Sequence, residues 1–257
     1  MNIILTILRG IYVTYAATVF LAIMFVILPF IFIISFQGRL KGGNIMAYFM
    51  RCWAHIWFAF SGIWCKRIYQ AARKRETCIY VVNHRSYLDA ALAAKVMGLP
   101  FRSLGKVEMG KIPFFGFIYK KTVVTVDRSS AMARARSVRE MMNTLKANIS
   151  ILIFPEGTLN ESGQPLREFH DGAFRMAIET QTPIKPVLFL DAHARLPRKG
   201  LLYLNPGRCR VVFLPTVSVN GLSLADVQEL KQRVFNAMDT VLRKYHQYPN
   251  PSLQLAG

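Results

Sequence analysis

Two segments of the sequence place chemically active side chains directly after apolar runs that are typical of strands. In the first, Asn83-His84-Arg85-Ser86-Tyr87-Leu88-Asp89, a histidine follows the run 78–82 and an aspartate stands five residues further on. Ser86 is a favourable N-cap, which places Asp89 at the third position of the following helix, with its carboxylate within reach of the His84 loop. A carboxylate on one imidazole nitrogen fixes the tautomer and leaves the other nitrogen as a base. This segment therefore predicts a base, His84, whose orientation is fixed by an acid, Asp89. The alternative is an ordinary loop histidine beside an aspartate that only caps the helix.

The second segment, Phe154-Pro155-Glu156-Gly157-Thr158, begins at the end of the apolar run 150–154. Gly157 allows the backbone to come close to a ligand. Glu156 and Thr158 have side chains able to bind a polar head group or to hold the loop. The alternative is a simple turn after a strand.

A third, looser group extends from Lys106 to Arg128 and includes Pro113-Phe114-Phe115-Gly116 and Asp127. Arg128 precedes a predicted helix start at 129–130, so an anion bound there would also meet free backbone N–H groups. This pattern indicates an anion site, with an exposed basic loop as the alternative.

Alternating strands and helices must position these segments. Apolar runs predict strands at 78–82, 122–126, 150–154, 184–190 and 210–214, and amphipathic stretches predict helices at 86–97, 130–148, 172–180 and 224–245. This alternation predicts an α/β fold with a mostly parallel sheet flanked by helices. Active residues of such a fold lie in loops at the carboxyl ends of strands, where His84 and Glu156 are found.

The N-terminal region is apolar and differs from the rest of the chain. No charge occurs between Arg9 and Arg39, and a helix over 11–36 is long enough to cross a bilayer and too long for a cleaved signal peptide. A second apolar run over 45–65 contains Arg51 and His55, which favours a helix lying at the membrane interface. We therefore predict a hydrophobic helix pair in or on the membrane over residues 1–66, an α/β domain over 67–248 and a flexible tail over 249–257.

The charge of the chain is strongly positive, because 33 Lys and Arg face 14 Asp and Glu, a net +19. From Met1 to Arg75 there is no acidic residue, and basic residues flank the apolar runs. Basic residues beside apolar segments predict binding to an anionic membrane surface, and no motif supports nucleic acid as a partner. The basic cluster after the second run predicts that the catalytic domain lies on the cytoplasmic face of the membrane.

The four cysteines, Cys52, Cys65, Cys78 and Cys209, form no CxxC motif and have no metal-ligand spacing with histidine. We therefore expect reduced thiols and no metal site, in agreement with a cytoplasmic domain.

Taken together, these segments resemble the glycerolipid acyltransferase family, and in particular the 1-acylglycerol-3-phosphate acyltransferases. The likeness extends from about Tyr80 to Leu190. Its elements are the His-x4-Asp motif at His84 and Asp89, a glycine-containing motif ending in Asp127-Arg128, the Phe-Pro-Glu-Gly-Thr motif at 154–158 and a proline-led apolar strand at 183–187.

The resemblance implies transfer of a fatty acyl group from acyl-CoA or from the acidic acyl carrier protein to the free hydroxyl of a lysolipid. The acceptor it implies first is 1-acylglycerol 3-phosphate, giving phosphatidic acid. His84 would act as general base with Asp89 as its partner, and the thioester is a co-substrate, so no further cofactor is expected. The acceptor-binding residues it implies are Lys106, Arg128, Glu156, Gly157 and Thr158.

The sequence departs from the family pattern after Glu-Gly-Thr, where Leu159 and Asn160 replace the usual Arg-Ser, and at Asp171, which stands where a lysine often precedes Gly-Ala. Both changes make the expected acceptor pocket less cationic. A lyso-aminolipid or another lysophospholipid therefore remains an alternative acceptor. A phospholipid transacylase that works without CoA and a lipid-binding scaffold without catalysis are the alternative functions.

Overall fold

One mixed sheet forms the centre of the protein, and a computed structural model describes residues 3–98, 100–112, 115–126 and 130–246. The strands within these residues are β1 (Ile63–Tyr69), β2 (Ile79–Val82), β3 (Phe101–Lys106), β4 (Val123–Val126), β5 (Ser150–Ile153), β6 (Ile184–Phe189) and β7 (Gly207–Phe213). The helices are α1 (Ile3–Ser35), α2 (Gly43–Phe60), α3 (Leu88–Val96), α4 (Phe115–Thr122), α5 (Ala131–Lys146), α6 (Gly172–Glu179), α7 (Ala192–Arg195) and α8 (Val227–His246).

The strand order is β1-β7-β6-β2-β5-β3-β4. The five strands from β6 to β4 are parallel to one another, whereas β7 pairs antiparallel with β6 and β1 pairs parallel with β7. The predicted α/β fold with a mostly parallel sheet flanked by helices is therefore confirmed. The reversed pair at one edge places the amino ends of β1 and β7 at the edge of the sheet where the five parallel strands have their carboxyl ends.

Two apolar cores cover the two faces of the sheet, because successive strand residues point to opposite sides. In β2, Ile79 and Val81 pack with α5, α6 and α8, and Val82 packs with α1, α2 and α3. These buried, β-branched strands are typical of a parallel sheet covered on both faces. The loops at the carboxyl edge of the sheet therefore lie between the helices of the two faces.

The N-terminal helices form an antiparallel pair on one face of the sheet. Trp57 Nε1 donates to the carbonyl of Ala16 at 3.0 Å, and the Phe20 ring packs edge-on against Trp57 at 5.5 Å between ring centroids. The outer side of α1 remains a broad exposed apolar surface, with Pro29 inside the helix. Within the described residues α1 is the one helix long and apolar enough to cross a membrane.

The structure differs from the sequence prediction at the second apolar run and at strand β3. The second apolar run is helical only to Phe60, because the chain turns at Gly62, which has a φ of +62°, and continues as strand β1. β1 pairs with β7 across residues 66 and 67, where the sequence prediction placed a domain boundary. Strand β3 was not predicted, since its polar residues hide the apolar pattern; one of them, Arg102, is buried and donates to Asn44 Oδ1 of α2 at 2.8 Å. The predicted tail, 249–257, lies outside the described residues.

Candidate active site

The loop after β2 brings the predicted base and acid together. His84 Nδ1 lies 2.8 Å from Asp89 Oδ2, and the same oxygen accepts hydrogen bonds from the backbone N–H groups of Arg85 and Ser86, each at 2.9 Å. The Asp89 side chain is 1% exposed and the His84 side chain 23% exposed. With Asp89 Oδ2 accepting a hydrogen bond from Nδ1–H, the lone pair of His84 Nε2 is left for chemistry at a partly exposed position.

The start of α3 differs by one residue from the prediction. Tyr87 occupies the N-cap position, so Asp89 is the second residue of the helix and not the third. Ser86 stands just before it, where its Oγ accepts from Leu88 N at 3.0 Å and donates to the carbonyl of Leu196 at 2.7 Å. The hydroxyl is buried and needs both bonds, which fixes the His84 loop against the loop after α7.

Glu156 holds two loops together at the end of β5. Its Oε1 accepts from the backbone N–H of His84 and its Oε2 from that of Arg167, both at 2.9 Å. Burial raises the pKa of Glu156, although these two hydrogen bonds and the nearby imidazole oppose the rise. Of the two roles that the sequence left open, the geometry favours holding the loop.

The remaining residues of the Phe-Pro-Glu-Gly-Thr segment line the same edge. The Phe154 ring stacks on the His84 imidazole, with ring centroids 4.1 Å apart and an angle of 17° between planes. Gly157 has a φ of +70°, a left-handed conformation that favours glycine, and Thr158 is exposed. Beyond this turn the N–H of Asn160 donates to the carbonyl of His84 at 2.7 Å.

Asn83 is a positioning residue that sequence reasoning missed. Its side chain is fully buried, its Nδ2 donates to the carbonyl of Phe189 at 3.1 Å, and its Oδ1 accepts from Phe189 N at 2.7 Å. These bonds join the end of β2 to the end of β6. The available signal was a polar amide between a buried strand and the histidine, because a buried amide has to find partners.

The predicted anion site between β3 and β4 is described only in part. Lys106 pairs with Val126 at the carboxyl ends of the two strands, which places its backbone at the same edge of the sheet as His84. Its side chain lies outside the description, and so do Arg128 and the neighbouring Asp127, as well as Pro113 and Phe114.

The two departures from the family pattern have different positions. Leu159 is 8% exposed and belongs to the apolar interior, so the loop after β5 carries no cation there. Asp171, in contrast, faces α8, where Lys231 Nζ donates to it at 2.7 Å and Gln228 Nε2 at 3.0 Å. Its charge is paired with that of Lys231, and the expectation that Asp171 makes the acceptor pocket less cationic stays a prediction.

The cysteines are free thiols. Cys65 and Cys209 are direct neighbours in the β1–β7 pair. Within the described residues no three His, Cys, Asp or Glu side chains form a group that could hold a metal ion.

Comparison with known proteins gives matches over the same region. Residues 65–190 match the family model described as Acyltransferase. An uncharacterized acyltransferase of Schizosaccharomyces pombe is 30% identical over 182 residues, which cover 68% of this chain and 64% of that protein. The 1-acyl-sn-glycerol-3-phosphate acyltransferase of Escherichia coli is 32% identical over 163 residues, covering 63% of this chain and 65% of that protein. The matches thus span slightly less than two thirds of these relatives.

The fold has a counterpart among solved structures. The crystal structure of the 1-acyl-sn-glycerophosphate acyltransferase PlsC from Thermotoga maritima aligns with a TM-score of 0.74 and 22% sequence identity, and the alignment covers 97% of this chain and all of that one. At this identity the likeness establishes the fold, N-terminal helices included.

Proposed function

We propose that the protein transfers a fatty acyl group from a thioester to the free hydroxyl of 1-acylglycerol 3-phosphate and so makes phosphatidic acid. The match of residues 65–190 to the family model described as Acyltransferase supports this proposal. The observation that carries the proposal is the His84–Asp89 pair, with 2.8 Å between Nδ1 and Oδ2 and the imidazole partly exposed. The names of several relatives point to the same acceptor.

The reaction is a direct transfer. His84 Nε2 takes the proton of the acceptor hydroxyl while its oxygen attacks the thioester carbonyl, and Asp89 stabilises the imidazolium that forms. As the tetrahedral intermediate collapses, the C–S bond breaks and the imidazolium returns the proton to the leaving sulfur. The new ester, the free thiol and the neutral histidine then account for every atom and proton.

The oxyanion of the intermediate needs hydrogen-bond donors other than those at the start of the His84 loop. The N–H groups of His84, Arg85 and Ser86 already donate to Glu156 and Asp89. These bonds keep the base in place before substrate arrives, which lowers the reorganisation that catalysis requires.

The donor is either acyl-CoA or acyl carrier protein, and both suit a chain of net charge +19. Both carry phosphate, and the carrier protein is acidic as a whole, so the charge by itself does not choose between them. Measurement of turnover with each of the two thioesters at equal concentration identifies the donor.

We further propose that the reaction takes place at a membrane. The exposed apolar surface of α1 suits insertion into a bilayer, and the basic residues that follow α2 suit an anionic surface on the cytoplasmic side. The amino-terminal half of α1 lies at the carboxyl edge of the sheet, where Tyr12 donates to the Ser61 carbonyl at 2.8 Å. This placement suits entry of a lysolipid from the bilayer at the same edge as His84.

The test is incubation of the purified protein with a labelled acyl thioester and a panel of lysolipids, followed by mass spectrometry of the products. Phosphatidic acid formed from 1-acylglycerol 3-phosphate is the expected product. Product from a lyso-aminolipid alone would replace the proposed acceptor, and acyl exchange without a thioester would show a transacylase. Absence of product with every acceptor, for the wild type as for His84→Ala, would support the lipid-binding scaffold.

A further inference from the structure

Basic side chains from three parts of the chain lie close together at the carboxyl end of α3. These residues, called the α3 cluster, are Arg51 of α2, Arg67 of β1, Arg73 of the segment after β1, and Lys95 of α3. Arg51 donates to the carbonyl of Met97, and Arg67 Nη2 donates to the carbonyl of Lys95 at 2.8 Å. Burial lowers the pKa of Arg51, and the nearby positive charges of Arg67 and Arg73 lower it further.

The positive charge of the α3 cluster is not balanced by carboxylates. Among the described residues, none of its four members forms an ion pair, and the sequence has no acidic residue from Met1 to Arg75. Arg51 and Arg67 instead bind backbone carbonyls at the end of α3, where the helix dipole supplies only about half a negative charge. The cluster therefore keeps an excess of positive charge and favours an anion.

The α3 cluster is separate from the proposed catalytic pair. Asp89 lies in the first turn of α3 and Lys95 in its last turn. Arg73 follows the carboxyl end of β1, which lies at the edge of the sheet opposite the His84 loop. An anion at the cluster is therefore bound away from the reacting groups.

The α3 cluster borders the apolar side of the N-terminal helices. α2 contacts both α1 and α3, and its outer surface carries the exposed side chains of Tyr48 and Ile56. Tyr48 stands three residues before Arg51 and so lies on the same side of the helix. The outer side of α1 continues this surface with exposed apolar residues. An apolar surface with aromatic and basic residues along its border is typical of a protein that lies on an anionic bilayer.

We propose that the α3 cluster binds the phosphate groups of anionic lipids while α1 contacts the apolar part of the same bilayer, an inference that rests on the proposed membrane location. The planar fork of arginine matches two phosphate oxygens, and lysine adds a point charge. A bilayer covers the apolar and the basic surface together, whereas an acidic soluble protein on the cluster would leave the outer side of α1 in water. Contacts at α1 and at the cluster together fix which side of the domain faces the membrane.

The test measures binding of the full chain to vesicles by flotation. The vesicles consist of phosphatidylcholine alone or of phosphatidylcholine with added phosphatidylglycerol. Arg67→Ala with Arg73→Ala removes two exposed charges. It is expected to weaken binding to the anionic vesicles about thirtyfold, because each cation near an anionic surface contributes about fivefold. Binding to vesicles of phosphatidylcholine alone should stay unchanged.

A matched control removes the same charge from the other face of the sheet. Arg136→Ala with Lys244→Ala changes exposed residues of α5 and α8, and its binding to anionic vesicles should fall less than about threefold, since charges far from the membrane are screened. Arg73→Glu alters the charge by as much as the double substitution and lies outside β1, so it tests the cluster even if Arg67→Ala impairs folding. Turnover of Arg73→Glu in detergent should equal that of the wild type.

Three results would overturn the inference. Equal losses in the Arg67 and Arg73 variant and in the control would show that total charge alone attracts the protein to the membrane. Equal losses on both kinds of vesicle would show that the variant damages apolar contacts. Unchanged vesicle binding with weaker binding to acyl carrier protein would make the cluster a docking surface for an acidic protein.

The inference and the proposed function fail separately. Turnover of 1-acylglycerol 3-phosphate without the expected effect on anionic vesicles would remove the lipid site and leave the proposed function intact. The expected vesicle result without turnover of any lysolipid would do the reverse.

Discussion

The two sides of His84 are built differently. On the side of Asp89 and Glu156 the carboxylates are buried and accept hydrogen bonds from three backbone N–H groups of the His84 loop. On the other side, a cavity of about 520 Å³ is lined by Arg85, Glu161, Arg198 and Lys199, among others. Arg198 and Lys199 are exposed and belong to a loop. The difference teaches that buried hydrogen bonds hold the His84 loop in place, whereas the charged side chains Arg198 and Lys199 stay in contact with water.

Substitution of the base should have the largest effect on the buried side. We expect His84→Ala to lower turnover by about 10³-fold or more, because the acceptor hydroxyl then loses its proton acceptor. The fold should persist, since the lost contacts are one stacked ring and one hydrogen bond. Product formation measured with labelled thioester checks the loss of turnover, and circular dichroism of the same sample checks the fold. A near wild-type rate would contradict the proposed mechanism.

Asp89→Asn should have the next largest effect. Turnover is expected to fall about 10²-fold or more, because an amide cannot stabilise the imidazolium and leaves the tautomer of His84 undefined. The bonds from Arg85 and Ser86 to Oδ2 also suffer, so the free energy of unfolding should fall by about 1–3 kcal/mol. Asp239→Asn on α8, whose partner is Arg243 four residues away, is the matched control and should leave turnover unchanged.

Glu156→Gln should separate positioning from proton transfer. One amide group cannot accept both N–H groups that the carboxylate accepts, so we expect a loss of about 1–3 kcal/mol in stability and a smaller loss in turnover than for His84→Ala. Glu179→Gln, at an exposed position of α6, controls for the change of charge. Equal turnover losses in Glu156→Gln and His84→Ala would give Glu156 a direct part in the chemistry.

The same variant should alter the pH dependence of stability. Burial raises the pKa of Glu156, so the folded protein binds this proton more tightly than the unfolded chain. The stabilising contribution is fully present below the ordinary pKa of glutamate and is lost as pH rises through the raised folded value. Across that pH window, the melting temperature of the wild type should fall as pH rises, and Glu156→Gln should reduce this slope. Parallel profiles of melting temperature against pH for the two proteins would contradict the prediction.

Removal of the exposed apolar side chains of the 3-10 turn Leu201–Tyr203, which follows Lys199, should have the smallest effect. Leu201→Ser with Leu202→Ser is expected to weaken vesicle binding by about 1–2 kcal/mol, because both exposed side chains would leave the lipid. Activity in detergent should change little. Leu224→Ser, at an exposed leucine just before α8, is the control, and an equal loss in both would show that the turn does not contact the membrane.

Much of the fold followed from local patterns. The runs at 78–82, 122–126, 150–154, 184–190 and 210–214 each overlap a strand, because buried strands appear in a sequence as short apolar segments between turns. Strands β1 and β3 were not predicted. β1 continues a helix-like run, and β3 carries Arg102, whose guanidinium donates hydrogen bonds to Leu40 and Asn44 of the N-terminal region. Long-range partners of this kind leave no periodic signal in the strand itself.

By itself the sequence determined that a histidine follows one buried strand and a Pro-Glu-Gly turn another, and spacing alone brought Asp89 within reach of His84. Only the tertiary structure decided what Glu156 does, because its two partners are 72 and 11 residues away. The same holds for the cavity, where Arg85, Glu161 and Lys199 meet because β2, β5 and β6 are neighbours in the sheet. Local chemistry is set by residues close in the chain, whereas a pocket requires strand order, which depends on packing between distant segments.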